Sequence, residues 1–305
     1  MWKVFRGKCG MHALPGDLWR MTLRSKAEFD TLGQANAELL AKRRAFEATL
    51  SRALPEGQSA KLPGYCAVCA RDTDFVYDHC YAAAGGVNWR ERLLCANCGL
   101  NNRQRLALHL LSQHGPANRA QIYVTEQTTQ TAQALSKRYK HVVGSEYLGP
   151  KWQGGQYNAQ GLRHEDVTRL SFSPDQFDWV LSFDVLEHVP DYRAALREFL
   201  RVIKGNGRLL LTVPQNLGSE KNITRAEFDD YGRLTHILPP EYHGDPVNPE
   251  LGILCYYHFG WELLPDLIKA GFDDALVILS YSRKYGYIGY EQAVVMAIKS
   301  SGSAS

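Results

Sequence analysis

No stretch of this 305-residue sequence approaches the ~20 consecutive apolar residues that a membrane-spanning helix needs. Its opening, Met1-Trp2-Lys3-Val4-Phe5-Arg6, lacks the apolar run of a secretory signal, so a cytoplasmic location is expected and no membrane partner. A strong excess of one charge is missing too. Thirty-five Lys and Arg against 32 Asp and Glu leave +3, whereas nucleic-acid-binding domains are usually strongly basic, so a nucleic-acid partner is not expected. Compositional bias is absent: 45% hydrophobic and 22% charged residues exclude disorder, collagen and coiled-coil rods as global descriptions. The length suits two domains, or one large α/β domain with an appendage.

What is present begins with seven cysteines, four of them in two close pairs. Cys66-x2-Cys69 and Cys95-x2-Cys98 are separated by residues 70–94, and Cys80 lies between them. Two thiolates two residues apart grip one ion from a tight knuckle, and two knuckles complete a closed tetrahedral shell that suits structural zinc. Pro63-Gly64 precedes the first knuckle and Cys98-Gly99 closes the second. The spacer is longer than in a usual zinc ribbon, which predicts a hairpin with an extended tip. Buried free cysteines are the plainer alternative, and a reducing compartment disfavours disulfides. His79 and Cys80 are alternative ligands, but four thiolates already fill the shell, so Cys80 is expected in the core or beside the site. Four ligands leave no open position, so this metal would hold the fold rather than do chemistry.

Around the knuckles, Phe29, Leu32, Leu39, Phe46 and Leu50 predict one helix over Lys26 to Leu54, ended by Pro55-Glu56-Gly57. The first 25 residues carry no readable signal, and residues 300–305 read as a disordered tail. From about Asn118, short apolar strands alternate with helices. The strands expected are Gln121–Val124, His141–Gly144, a weak Gly161–His164, Phe177–Ser182 and Arg208–Val213, with helices over Gln130 to Tyr139 and about Asp191 to Ile203. Such alternation predicts a doubly wound, mostly parallel sheet that takes its ligand at the carboxyl ends of the strands. Acids recur just past those strands: Glu126, Glu146, Asp166 and Asp184. An acid after the second strand accepts both hydroxyls of a ribose in nucleotide folds.

The blocks His164-Glu165-Asp166-Val167-Thr168-Arg169-Leu170-Ser171-Phe172, Phe177 to Val189 and Gly207 to Pro214 resemble a class I S-adenosylmethionine-dependent methyltransferase, over roughly Asn118 to Lys299. The resemblance implies a seven-stranded sheet, with Glu146 on the cofactor ribose, Asp166 on the adenine amino group and Asp184 near the methionine end. It places Tyr147 among the cofactor contacts and Val167 or Phe183 against the adenine. Arg103 or Arg105 would pair the cofactor carboxylate, the alternative being a solvated helix face. The knuckles running into Leu100 to Arg105, with Pro239-Pro240-Glu241-Tyr242-His243-Gly244-Asp245-Pro246 and Phe259-Gly260-Trp261, resemble a subset tied to sugar and polysaccharide pathways.

The family's glycine-rich loop after the first strand is missing. Here the stretch is Glu126-Gln127-Thr128-Thr129-Gln130-Thr131-Ala132, with Thr128, Gln130 and Ala132 at the glycine positions. Either hydroxyls such as that of Thr128 replace backbone contacts to the cofactor, or the cofactor has been lost. Methyl transfer to a hydroxyl needs a base near neutral pH. His243 is the first candidate, with His188 and Glu241 next; Asp184 with Asp245 could instead hold a divalent metal. Tyr256, Tyr257, Phe259 and Trp261 read as an aromatic wall for a sugar ring or as core.

The expected organisation is a helical region over 1–62, a zinc-binding module over 63–100, and a methyltransferase-like domain over 101–299 with a lid or substrate insertion over about 215–261. The expected function is methyl transfer to a small polar acceptor such as a sugar hydroxyl, with S-adenosylmethionine as cofactor, structural Zn2+ and possible homo-oligomerisation. The alternatives are a scaffold on a degenerate methyltransferase fold, or a non-methylating user of the same cofactor. A further alternative, RNA methylation, is disfavoured by the weak charge and by the absence of an Asn/Asp-Pro-Pro-Tyr motif.

Overall fold

The computed structural model describes residues 17–82, 86–114, 119–244, 250 and 252–301. Cys9, Asp245 and the last four residues lie outside them. In chain order the elements are β1 (Trp19–Leu23), α1 (Lys26–Ala35), α2 (Ala37–Ala53), β2 (Ala60–Cys66), β3 (Arg71–Tyr77), α3 (Trp89–Arg92), β4 (Leu94–Cys95) and α4 (Asn102–Gln113). The alternating region follows with β5 (Gln121–Val124), α5 (Gln130–Arg138), β6 (His141–Gly144), β7 (Phe177–Phe183), α6 (Tyr192–Val202) and β8 (Ile203–Thr212). Next come three small ribbons, formed by β9 (Ile223–Thr224), β10 (Ala226–Phe228), β11 (Leu234–His236), β12 (Tyr242–His243), β13 (Ile253–Leu254) and β14 (Tyr257–His258). Last are α7 (Leu263–Ala270), β15 (Asp274–Ser282) and β16 (Tyr287–Ile298).

Seven strands share one hydrogen-bonded order, β1-β15-β16-β8-β7-β5-β6. The pairs β6/β5, β5/β7 and β7/β8 are parallel, while β8/β16 and β15/β1 are antiparallel. The expected α/β class with a large, mostly parallel sheet is therefore present.

The chain divides into two compact units, and the division departs from the boundaries expected at 62 and 100. One unit takes the described residues up to Arg24, Glu28–His109 and Val277–Val294; the other takes Ser25–Ala27, Leu110–Leu276 and the chain from Val295. The C-terminal hairpin thus groups with the cysteine-bearing unit, because Trp19 to Leu23 pair with Tyr281 to Val277.

In the cysteine-bearing unit, β2, β3 and β4 form an antiparallel sheet over a small core of Leu54, Cys66, Phe75, Tyr77, Trp89, Leu93, Cys95, Tyr281 and Ile288. The single helix expected over Lys26 to Leu54 is two helices that break at Asn36, whose side chain and backbone N–H both donate to the Leu32 carbonyl. The face that α2 buries is charged. Arg43 lies over the rings of Trp19 and Tyr281, 4.4 and 4.1 Å from their centroids. Glu47 accepts the backbone N–H groups of Gly289 and Tyr290 at 2.8 and 3.3 Å. A hydrophobic stripe cannot report such a face, because its anchors are polar.

In the other unit, α6 shows why the alternating pattern was readable. Tyr192, Ala195, Leu196, Phe199 and Val202 are buried at helical spacing, and the Asp191 side chain caps the first turn by accepting from Ala194 N–H. The weak third strand survives only as isolated bridges, a parallel one between Glu146 and His164 and an antiparallel one between Tyr157 and Arg163. Residues 300 and 301 depart from the expected disorder: the Ser300 N–H donates to Asp273 and the Ser301 N–H to Asn206.

Candidate active site and cysteine cluster

Strands β5, β6 and β7 end side by side, so the segments after them form one rim. After β5, Thr125 is tied to the neighbouring strand by its N–H to the Leu181 carbonyl, and Thr129 caps α5 by accepting from Ala132 N–H. The loop between them closes on Glu146. Gln127 N–H, Thr128 N–H and the Thr128 hydroxyl all donate to Glu146 Oε1, at 2.8, 2.9 and 2.8 Å. All three donors fall on one carboxylate oxygen, so the threonine at a glycine position pins the loop to Glu146. Glu126 itself is buried.

The loop and β6 are in close backbone contact. A Cβ added to Gly144 would lie 2.7 Å from the Glu126 carbonyl oxygen and 3.2 Å from Gln127 Cα. Gly144→Ala is therefore expected to force the rim apart, costing on the order of 1–3 kcal/mol. A melting curve and cofactor calorimetry on the variant check this, and an unchanged midpoint would refute the close approach.

The third rim segment is held by residues that sequence reasoning missed. The Gln127 side chain donates to the Gly161 carbonyl and accepts from Arg163 N–H. The Glu165 carboxylate, fully enclosed, accepts from Arg163 Nε, Ser171 N–H and the Ser171 hydroxyl at 2.9, 2.9 and 2.6 Å. That clamp presents Asp166 and Val167, both half-buried. Asp166 Oδ1 accepts from the Thr168 N–H and hydroxyl. Tyr147 is 55% exposed with its ring 5.4 Å from that of His164. Partial burial, and then the nearby Asp166 carboxylate, raise its phenol above the ordinary value.

After β7, Asp184 sits at a φ of +51°, in the left-handed region that a non-glycine residue seldom adopts, with its N–H on the Thr212 carbonyl. Strain of this kind concentrates at functional sites. The chain then makes a short 3-10 turn over Leu186–His188 and meets the insertion.

There the predicted base candidates come together. His188 Nδ1 donates to the Leu254 carbonyl at 2.9 Å, and His243 Nε2 donates to Glu241 Oε1 at 2.9 Å. The two rings meet edge to face with centroids 4.9 Å apart. His258 Nε2 also donates to Glu241 Oε1, at 3.0 Å, and Arg225 pairs with Oε2 at 3.2 Å. Burial alone would raise the Glu241 carboxyl, but the bonds from His258 and His243 and the Arg225 charge outweigh it and hold it below its ordinary value. The Glu187 carboxylate, fully enclosed, lies against both histidines. Glu187, Arg225 and His258 escaped sequence reasoning; the adjacency of Glu187 to His188 was the available signal. Of the Asp184–Asp245 metal pair, Asp245 lies outside the described residues. Phe259 and Trp261 are core, 0% and 2% exposed, and the Tyr257 ring packs on Tyr192.

The cysteine-bearing unit holds the remaining predicted residues. Cys66, Cys69, Cys95 and Cys98 place their sulfurs within 4.8 Å of one another. Cys66–Cys98 and Cys69–Cys95 are each 3.9 Å apart, beyond any disulfide. A zinc ion with Zn–S bonds of about 2.3 Å sets its sulfurs about 3.8 Å apart, so the spacing fits. Each knuckle closes through a left-handed residue, Ala70 at +53° and Gly99 at +69°. Arg105 is buried beneath, stacked 4.0 Å from the Phe75 ring centroid, and donates to the Leu93, Tyr285 and Gly286 carbonyls. Burial lowers its pKa, while Tyr287 and then Cys66, Cys95 and Cys98 act in the opposite sense. Both ring nitrogens of His79 face carbonyls, of Gly86 and Leu54, so it is not turned to the sulfurs. Cys80 is exposed rather than core, because it sits on the hairpin tip. Arg103 is ion-paired with Glu91 at 2.8 Å.

Strand-end acids and a loop from the first parallel strand thus stand along one rim, and the histidine-bearing insertion gathers a second cluster of titratable groups. Residues 124–211 match the methyltransferase-domain family. It is 32% identical over 121 residues to the demethylmenaquinone methyltransferases of Mycobacterium tuberculosis and Mycobacterium bovis, covering 39% of this chain and 45% of theirs. The chain thus spans less than half the length of these curated relatives. Among solved structures, an S-adenosylmethionine-dependent methyltransferase from Mesorhizobium loti aligns with 16% identity over 63% of this chain and 98% of its own, at a TM-score of 0.37. One from Methanosarcina mazei aligns with 17% identity over 63% of this chain and 97% of its own, at a TM-score of 0.39.

Proposed function

We propose that the chain is an S-adenosylmethionine-dependent methyltransferase that acts on a hydroxyl of a small polar acceptor, a sugar or sugar-bearing metabolite. The observation that carries this reading is the rim. Glu146 keeps one carboxylate oxygen for a ribose while its other oxygen anchors the loop that lacks glycines. Asp166 and Val167 take the adenine edge, with the half-exposed Tyr147 beside them. Asp184 takes the methionine end, where its strained backbone suits a site organised around a ligand. The cofactor supplies an electrophilic methyl group. The protein's part is to align the acceptor in line with it and to manage the acceptor's proton.

That proton falls to the cluster of His243, His188 and Glu241, which stands in the segments after β7 and in the insertion. The insertion also bears exposed rings, Tyr231 at 84% and Tyr242 at 58%, which suit stacking against a sugar face. The same stretch exposes Phe228, Ile237 and Leu238. With the demethylmenaquinone relatives, these favour a second reading in which the acceptor is a lipid-soluble aromatic ring. Arg103 is assigned no cofactor role, because its guanidinium is on Glu91. In the other unit, the four cysteines hold one structural zinc ion, and the buried Arg105 offsets part of the tetrathiolate charge.

Calorimetry with S-adenosylhomocysteine tests the enzymatic reading. Binding in the micromolar range supports it, and the absence of heat at millimolar ligand would leave the scaffold alternative. Methyl transfer to sugar hydroxyls against quinol rings then separates the two acceptors.

A further inference from the structure

Beyond the cofactor rim, Glu187, His188 and His243 set one donor atom each within 4.8 Å of the other two. Glu187 Oε1 is 3.8 Å from His188 Nε2 and 3.9 Å from His243 Nδ1. The state of both rings follows from their outer contacts. A carbonyl can only accept, so His188 must carry its proton on Nδ1, facing Leu254 at 2.9 Å. Glu241 is a carboxylate, so His243 carries its proton on Nε2, facing Oε1 at 2.9 Å. In neutral rings the inner nitrogens are then lone pairs, and both are turned toward the fully enclosed carboxylate of Glu187.

We propose that Glu187, His188 and His243 form a binding site for one first-row divalent cation such as Mn2+ or Zn2+. Two imidazoles and one carboxylate are a recurrent ligand set that leaves positions open for substrate. Each imidazole is oriented by an acceptor on its far nitrogen, a carbonyl for one and a carboxylate for the other, as ligating histidines generally are. Donors of a bound ion lie about 3.0–3.5 Å apart, so the triangle closes onto it with side-chain movements of under about 1 Å. This site differs from the Asp184–Asp245 pair expected from the sequence.

The role assigned to the ion rests on the methyltransferase reading. With both imidazole lone pairs on the ion, the ion takes the place of the histidine base in that reading: the acceptor hydroxyl would bind its open face, which lowers the hydroxyl pKa, and the proton leaves to solvent water. The acceptor oxygen then forms the new C–O bond while the S–CH3 bond breaks and its electron pair stays on sulfur.

The test uses the full chain, given one equivalent of zinc, which the tetrathiolate takes first, and titrated with Mn2+, with the electron paramagnetic resonance signal of free Mn2+ as readout. Thiolate sites favour softer ions, so the cysteine cluster does not interfere. The wild type is expected to take up one Mn2+ per chain. Glu187→Gln, His188→Asn and His243→Asn should each weaken uptake at least tenfold, with S-adenosylhomocysteine binding retained as the check of folding. His243 is 31% exposed, so its replacement keeps the test valid if the Glu187 variant does not fold. No uptake by the wild type, or uptake unchanged in the variants, overturns the proposal. Uptake lost in the variants without any cofactor binding in the wild type would uphold the ion site and refute the methyltransferase reading.

Discussion

Cys95→Ser, or prolonged chelation of the wild type, is expected to abolish zinc binding and to melt the three-stranded sheet of the cysteine-bearing unit. The cluster joins the end of β2 to β4 and the turn after it, so the ion closes the ends of that sheet. The apolar core behind it is small and includes two of the ligands, Cys66 and Cys95. Structural zinc contributes apparent binding free energies of roughly 10–16 kcal/mol in small domains. A whole domain is stable by only about 5–15 kcal/mol, so losing the ion should outweigh what the local packing supplies. Loss of the ion also leaves the Arg105 guanidinium buried without the tetrathiolate charge beside it, which adds to the cost. Metal analysis should find one zinc per chain in the wild type and none in the variant. Circular dichroism should show a separate low-temperature transition in the variant. A wild type without zinc, or a Cys95→Ser chain that melts as the wild type does, would show the four cysteines to be plain core residues.

The parts of this molecule that were legible from sequence are those where one physical rule dominates. The clustering of the four sulfurs was readable because two close cysteine pairs at this spacing are what a tetrahedral site would require. The parallel strands and α6 were readable because burial on one or both faces leaves a periodic signal, as with Leu196 and Phe199. Strand-end acids were readable because parallel strands deliver successive carboxylates to one rim. The rest depends on tertiary partners. Strand β1 pairs with a segment more than 250 residues away, and nothing local marks Trp19 to Leu23 as its counterpart. Helix α2 turns Arg43 and Glu47 inward because aromatic faces and backbone N–H groups await them, beside Phe46 and Leu50 of the apolar stripe, which pack partly buried on the same core. Glu187 was passed over because nothing local marks a carboxylate that will be buried against His188 and His243, and His243 arrives from a distant ribbon.

Glu146→Ala is expected to lower affinity for S-adenosylhomocysteine by at least a hundredfold. The side chain has two jobs on its two oxygens. Oε1 receives three donors from Gln127 and Thr128 and so fixes the loop; in the proposed reading Oε2 is the acceptor for a ribose hydroxyl. Hydrogen bonds to a charged group contribute about 1.5–3 kcal/mol each, so losing the ribose contact and the loop anchor together exceeds the ~2.7 kcal/mol that a hundredfold change represents. Two gentler variants separate the jobs. Thr128→Val removes one donor to Oε1 and leaves both carboxylate oxygens, so it should cost less than tenfold. Glu146→Gln keeps a carbonyl oxygen for the loop N–H groups but replaces the second acceptor by an amide N–H2, which cannot accept from a ribose, so it should fall between the two. Had the threonine-bearing loop closed the site against cofactor, freeing it would instead raise affinity, and Glu146→Ala and Thr128→Val would both bind more tightly than the wild type. Calorimetry on the three variants distinguishes these orders: a loss graded from Thr128→Val through Glu146→Gln to Glu146→Ala is the signature of a carboxylate that both anchors its own loop and receives the adenosyl group.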